Sequence, residues 1–149
     1  MEPTKRICAK VLMIDPDDRI LLFRGIDRTV PYDPPVWFLV GGAIHEGETL
    51  EAAAIRETFE ETGGRIRHLG PLLFTRRFQW VFEGETYDQE ETIFLVRISK
   101  AVVVSGEAWT DTERATVTGH RWWTVDELRR TNALVYPEDL ADVLDRFRR

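Results

Sequence analysis

The chain of 149 residues contains one cysteine, Cys8, so no disulfide framework can staple it. Cys8 lies in an apolar, strand-like run from Ile7 to Ile14. A thiol in such a run is expected as a small core side chain rather than a nucleophile. No apolar stretch approaches the roughly 20 residues a membrane-spanning helix needs, so no membrane partner is expected. Lys5 and Arg6 near the start are not followed by the apolar core of a signal peptide, which leaves a cytoplasmic location as the expectation. Positive charge is also short: 20 Lys and Arg stand against 26 Asp and Glu, for a net charge of −6. That balance speaks against a broad basic face and hence against nucleic-acid binding. It leaves nucleotide binding open, provided a cation carries the phosphates. Repeats, low-complexity tracts and linkers are missing too, so residues 1–149 are expected to form a single domain.

What is present reads as strands interleaved with helices, an α/β pattern. Ile7 to Ile14 and Ile20 to Arg24 flank the turn Asp15-Pro16-Asp17-Asp18, a hairpin pattern. A proline-containing loop leads to a short strand, Trp37 to Val40, which runs into Gly41-Gly42. A helix follows from Thr49 to Thr62. Thr49 is its N-cap, Glu51 complements the dipole in the first turn, and Gly63-Gly64 ends it. Further strands are expected over Ile66 to Phe74, Arg76 to Phe82 and Glu91 to Ile98, then a polar loop over Ala101 to Gly119. A strand within Gly119 to Thr124 precedes a short helix capped by Thr124 and running to Arg130. Pro137 starts a last helix with Leu140, Val143, Leu144 and Phe147 on one face. Three helices against a mixed sheet are expected.

The helix after Gly42 carries the chemistry. Residues advance about 100° each, so Glu57, Glu60 and Glu61 fall within an arc of about 100°. Glu57 and Glu61, four apart, are neighbours of like charge, which costs roughly 0.2–0.5 kcal/mol and more if the site is desolvated. Hard divalent cations take carboxylate and carbonyl oxygens, so Mg²⁺ or Mn²⁺ is the simplest partner for such a cluster. A solvated acidic face is the alternative. Arg56 precedes Glu60 by four and can reach it or Glu48. Ile55 and Phe59 point away from the acids and are expected to face a core.

The stretch Gly42, Glu48, Arg56, Glu57, Glu60, Glu61 and Gly63 resembles the signature of the Nudix hydrolases, G-x5-E-x7-R-E-U-x-E-E-x-G-U. All seven fixed positions match, while Thr58 and Gly64 stand where the family has bulky aliphatics. The resemblance implies an α/β/α sandwich with a mixed sheet and flanking helices. It implies hydrolysis of a nucleoside diphosphate linked to another moiety, with Mg²⁺ as cofactor and Mn²⁺ as a substitute. Glu57, Glu60 and Glu61 are then metal ligands, with the Gly41 carbonyl as a further one, and Glu48 and Arg56 orient them. Arg56, Glu57, Glu60 and Glu61 form the catalytic set together with a general base. Family members draw that base from different places. One of the signature glutamates can serve, or an acid of the late loop, where Glu113 is favoured over Glu107 and Asp111, while His45 is expected as a surface-loop residue. Family members are often dimers, which leaves a homodimer open.

Substrate choice is less legible. Arg24, Arg76 and Trp80 are candidate substrate contacts, because guanidinium suits phosphate and an indole suits a base. Phe78, Trp80 and Phe82 alternate on one strand face and suit either core packing or base stacking. The proline and tyrosine markers of ADP-ribose, NADH and dinucleoside-polyphosphate enzymes are missing downstream of the signature. A nucleoside triphosphate or related nucleotide is therefore expected. Two other readings stand beside hydrolysis. A catalytically silent nucleotide-sensing module would share the fold, although such modules commonly lose the carboxylates retained here. A diphosphate isomerase would want a cysteine at the site, and Cys8 reads as core.

Overall fold

The computed structural model describes residues 2–99 and 104–147. Residues 101–103, at the start of the expected late loop, lie outside the described part. The chain runs β1 (Thr4–Ile14), β2 (Ile20–Gly25), β3 (Val36–Ala43), α1 (Leu50–Thr62), β4 (Leu72–Phe82), β5 (Glu85–Arg97), α2 (Asp111–Thr116), β6 (Val117–Trp123), α3 (Val125–Arg130), β7 (Leu134–Tyr136) and α4 (Leu140–Phe147). The strands form one mixed sheet in the order β4-β5-β1-β2-β3-β7, with β6 added beside β2. β1 lies parallel to β5 from Thr4 to Ile14 and antiparallel to β3 from Cys8 to Val11. That second pairing sets Lys10 opposite Gly41.

Helices cover both faces, because β1 and β2 are apolar on both sides. Ala9, Val11, Met13, Leu21, Phe23 and Val40 bury against Ala53 and Ala54 of α1. Leu12, Ile14, Ile20, Leu22 and Leu39 bury against Val125 and Leu128 of α3 and Leu140, Val143 and Leu144 of α4. Trp122 and Trp123 split between the two clusters, as neighbours on a strand must.

Several expectations need correction. The segment from Ile66 is not strand: β4 begins at Leu72, because Pro71 offers no amide to a ladder and Gly70 is pressed against the Leu95 carbonyl. The late loop contains α2, making four helices among the described residues; Thr110 and Glu113 close a capping box around its first turn. β7 was not expected; it is three residues long and gains order from parallel pairing with β3. Phe78, Trp80 and Phe82 are neither core nor bare surface. They form a half-buried row in which Trp80 lies 5.6 Å from Phe82 and 5.4 Å from Tyr87, ring to ring.

The largest correction concerns α1. Ile55 and Phe59 do not face a core: they are 39% and 43% exposed, and Arg65 lies over the Phe59 ring. The helix sits on the sheet through Ala53, Ala54, Thr58, Glu61 and Thr62. These side chains are small or find partners. Thr58 donates to the Ala54 carbonyl at 2.8 Å and Thr62 to the Thr58 carbonyl at 2.7 Å, so both buried hydroxyls are satisfied. Small residues let α1 approach closely and turn its acids inward.

Candidate active site

The site is built where the end of β3 lies against the C-terminal half of α1. Thr49 caps the helix by accepting from the Ala52 amide at 3.1 Å. Gly63 ends it at φ 76°, its amide donating to the Phe59 carbonyl. Between these caps, Arg56 organises three carboxylates. Its Nε and Nη2 meet Glu48 at 2.8 and 2.9 Å, and its Nη1 meets Glu57 Oε1 at 2.9 Å and Glu60 Oε2 at 3.0 Å. Nη2 also donates to the Ala43 carbonyl at 3.0 Å, tying the end of β3 to α1. The Arg56 fork holds the Glu48 carboxyl down at about 2, below its ordinary 4.5.

Glu57 and Glu61 face the sheet. Glu61 is 7% exposed, and its Oε2 accepts from the Gly41 amide at 3.1 Å. Glu57 packs on Gly42 so closely that a Cβ there would lie 2.8 Å from Glu57 Oε2. Gly41, at φ 133°, has no room for a side chain either, since a Cβ would lie 2.2 Å from the Ala9 carbonyl. Glycine at both positions is therefore the condition for the acids to lie against backbone. Burial raises the Glu61 carboxyl well above its usual range, and the nearby Glu57 charge adds to the rise. Burial likewise raises Glu57, against the pull of Arg56. One buried and one half-buried carboxylate that resist ionisation, beside a backbone carbonyl, form a hard-oxygen donor set that a divalent cation would stabilise. On this ground the residues fit Mg²⁺ or Mn²⁺. No three acidic, His or Cys side chains yet converge on one point among the described residues, as Glu60 is turned toward Arg56.

A cleft opens beside Glu61, lined by Phe23, Phe38, Glu61, Trp109, Glu113 and Val117. Glu113 thus shares a cavity with Glu61, and its charge opposes ionisation of Glu61. Its Oε1 accepts from the Thr110 amide at 3.0 Å, which fixes the side chain at the start of α2. Trp109 stands edge-on to Phe23, with ring centres 6.0 Å apart, and donates from Nε1 to the Glu61 carbonyl at 2.9 Å.

The three expected substrate contacts lie elsewhere. Arg24 bonds Thr118 and lies over Trp37, which packs in the cluster under α3 and α4. Arg76 pairs with the buried Glu91 at 2.9 Å. Trp80 donates to Gln89 at 2.9 Å. None of the three is among the described residues lining the cleft. The sequence reading passed over Phe23, Phe38, Trp109 and Lys10. Lys10 carried a signal, as the one charged residue inside the run from Ile7 to Ile14. Its Nζ donates to the carbonyls of Gly41 and Leu39 at 3.2 and 3.4 Å.

Comparison with known proteins gives the chain a family. The NUDIX domain model matches residues 4–147, and the chain belongs to the Nudix family. A MutT-like protein of Streptomyces ambofaciens is 27% identical over 143 residues, covering 96% of this chain and 79% of that one. An RNA pyrophosphohydrolase of Caulobacter vibrioides (strain NA1000 / CB15N) is 41% identical over 61 residues, 41% of this chain. That match spans about a third of the relative's length, 34%. The crystal structure of a MutT protein from Methanosarcina mazei Go1 superposes with a TM-score of 0.73 at 20% identity, covering 98% of this chain and 96% of that one. At that identity the likeness speaks for the fold, a mixed sheet with flanking helices.

Proposed function

We propose that this chain is a divalent-metal-dependent pyrophosphohydrolase that cleaves the phosphoric anhydride of a nucleoside diphosphate linked to another group, foremost a nucleoside triphosphate. The observation that carries this reading is Glu61, buried on the Gly41 amide and lining an aromatic cleft, with the half-buried Glu57 packed on Gly42 beside it. The name of the Caulobacter relative, an RNA pyrophosphohydrolase, supports the pyrophosphohydrolase part of it. Glu57, Glu60, Glu61 and the Gly41 carbonyl would hold Mg²⁺ or Mn²⁺. When bound, the ion supplies neutralisation of phosphate charge and a lowered pKa for water.

The chain's own residues do the rest. Arg56 holds Glu48, Glu57 and Glu60 in fixed orientation, and through the Ala43 carbonyl fixes the end of β3 to the helix. Glu113, facing the same cleft, takes the proton of the attacking water as general base. Phe38 and Trp109, with the buried Phe23 behind them, make this side of the cleft apolar. The net charge of −6 favours free nucleotides over RNA as substrate in this reading. A cytoplasmic setting suits this chemistry.

The test is release of phosphate and pyrophosphate, with and without Mg²⁺ or Mn²⁺. The panel holds nucleoside triphosphates, oxidised triphosphates, ADP-ribose, dinucleoside polyphosphates, NADH, coenzyme A and a 5′-triphosphate RNA. Metal-dependent turnover of a triphosphate is expected. Nucleotide binding with no turnover across the panel would overturn the hydrolase reading in favour of a sensing module.

A further inference from the structure

Buried carboxylates need positive charge, and this chain brings some of its own. Lys10 projects from the middle of β1, opposite Gly41. Its Nζ lies 3.2 Å from the Gly41 carbonyl oxygen, 3.4 Å from that of Leu39, and 5.5 Å from the centre of the Phe38 ring. The amide of the same Gly41 donates to Glu61, and the next residue, Gly42, is the surface on which Glu57 rests. One two-residue stretch of backbone therefore connects the ammonium to both acids. Arg56 does not reach Glu61: its partners are Glu48, Glu57, Glu60 and the Ala43 carbonyl. Lys10 is the largest attractive charge acting on Glu61, and it acts on Glu57 as well.

Building on the metal reading above, we infer that Lys10 is a resident counter-cation of the acidic site, which a divalent ion must displace from the Gly41 carbonyl in order to bind. Without metal, the ammonium occupies the carbonyl and offsets the negative charge of the pair. When metal binds, the carbonyl is needed as a ligand, and a positive charge beside the ion opposes it. The residue thereby keeps the metal-free protein folded at the cost of weaker metal affinity. It acts as a positioning and tuning residue and takes no part in bond making.

The prediction is read without turnover, by titrating the protein with Mn²⁺ alone and following free Mn²⁺ by electron paramagnetic resonance. Lys10→Met should bind Mn²⁺ at least about fivefold more tightly than the parent, because a nearby like charge is gone. The metal-free variant should melt at a lower temperature than the metal-free parent. Lys10→Gln keeps a donor for the Gly41 carbonyl, guards against misfolding, and should also bind more tightly. Glu61→Gln identifies and removes the signal of this site. If the parent binds Mn²⁺ here and neither Lys10 variant binds it more tightly, the inference is overturned while the metal reading stands. If the parent binds no Mn²⁺ at this site, both fall together.

Discussion

Replacing Glu61 with Gln tests whether the acid is there for chemistry or for the fold, because the two roles predict opposite signs. The two side chains are nearly isosteric, and the amide oxygen can still accept from the Gly41 amide, now 3.1 Å from Oε2. What is lost is a buried negative charge. Burial holds the Glu61 carboxyl well above its usual range, so the folded state binds its proton more tightly than the unfolded state does. Across the window from the ordinary carboxylate value of 4.5 upward, the native state holds more protons, and metal-free stability falls as pH rises. Glu61→Gln removes that slope. At pH about 8 without metal, the variant should be more stable by roughly 1 kcal/mol, or about 2–4 °C in Tm for a domain of this size. Turnover should meanwhile drop by a factor of about 100 or more, which is ~2.7 kcal/mol of transition-state stabilisation. A third reading comes from the metal itself. An ion at 100 times its Kd stabilises the native state by about 2.7 kcal/mol, and the variant should lose most of that shift. The assays are thermal melts with EDTA and with Mg²⁺ across pH, beside steady-state turnover. A variant that melts lower than the parent in EDTA at pH 8, or that keeps near-parent turnover at limiting Mg²⁺, would refute the reasoning.

Three other outcomes are expected. Gly42→Ala puts a Cβ 2.8 Å from Glu57 Oε2, so turnover should fall at least about tenfold; in a double-mutant cycle with Glu57→Ala the second change should add little, as both act on one carboxylate. Arg56→Lys keeps the charge but loses the fork to Glu48 and the bond to Ala43, and should cost about 10- to 100-fold in turnover, with Mn²⁺ affinity falling in parallel. The Glu48 carboxyl, held at about 2 rather than 4.5, contributes stability above pH 4.5 that disappears as pH falls toward 2; Glu48→Gln should flatten that acid limb in a pH series of melts.

What could be read from the chain follows the range of the interactions involved. The caps of α1 at Thr49 and Gly63 are local, and so is the spacing that lets Arg56 meet Glu60, and these features lie where the residues alone put them. The acids were legible as a group for the same reason. Their direction was not. Apolar residues normally mark the buried side of a helix, and Ile55 and Phe59 argued for the wrong side of α1. A rule of local patterning fails here because α1 turns acids rather than apolar side chains inward, and the small residues Ala53 and Ala54 make that possible. α2 had a local signature in Thr110 and Glu113, but six residues carry too little periodicity to stand out in a polar stretch. Lys10 and Trp109 join the site only through pairing at a distance, one across β3 and the other across the 48 residues to Glu61. No spacing rule reaches that far.

The two walls of the cleft differ in how they are held. α1 meets β3 where the Glu57 carboxylate rests on Gly42, and a single methyl group added there would lie 2.8 Å from its Oε2. The opposite wall comes from a separate stretch of chain, pinned by the Trp109 indole and by the short capped helix behind it. Changes in that stretch can reshape what enters the cleft while the acids keep their register. Selectivity can therefore drift along one segment without the reactive geometry having to be solved again.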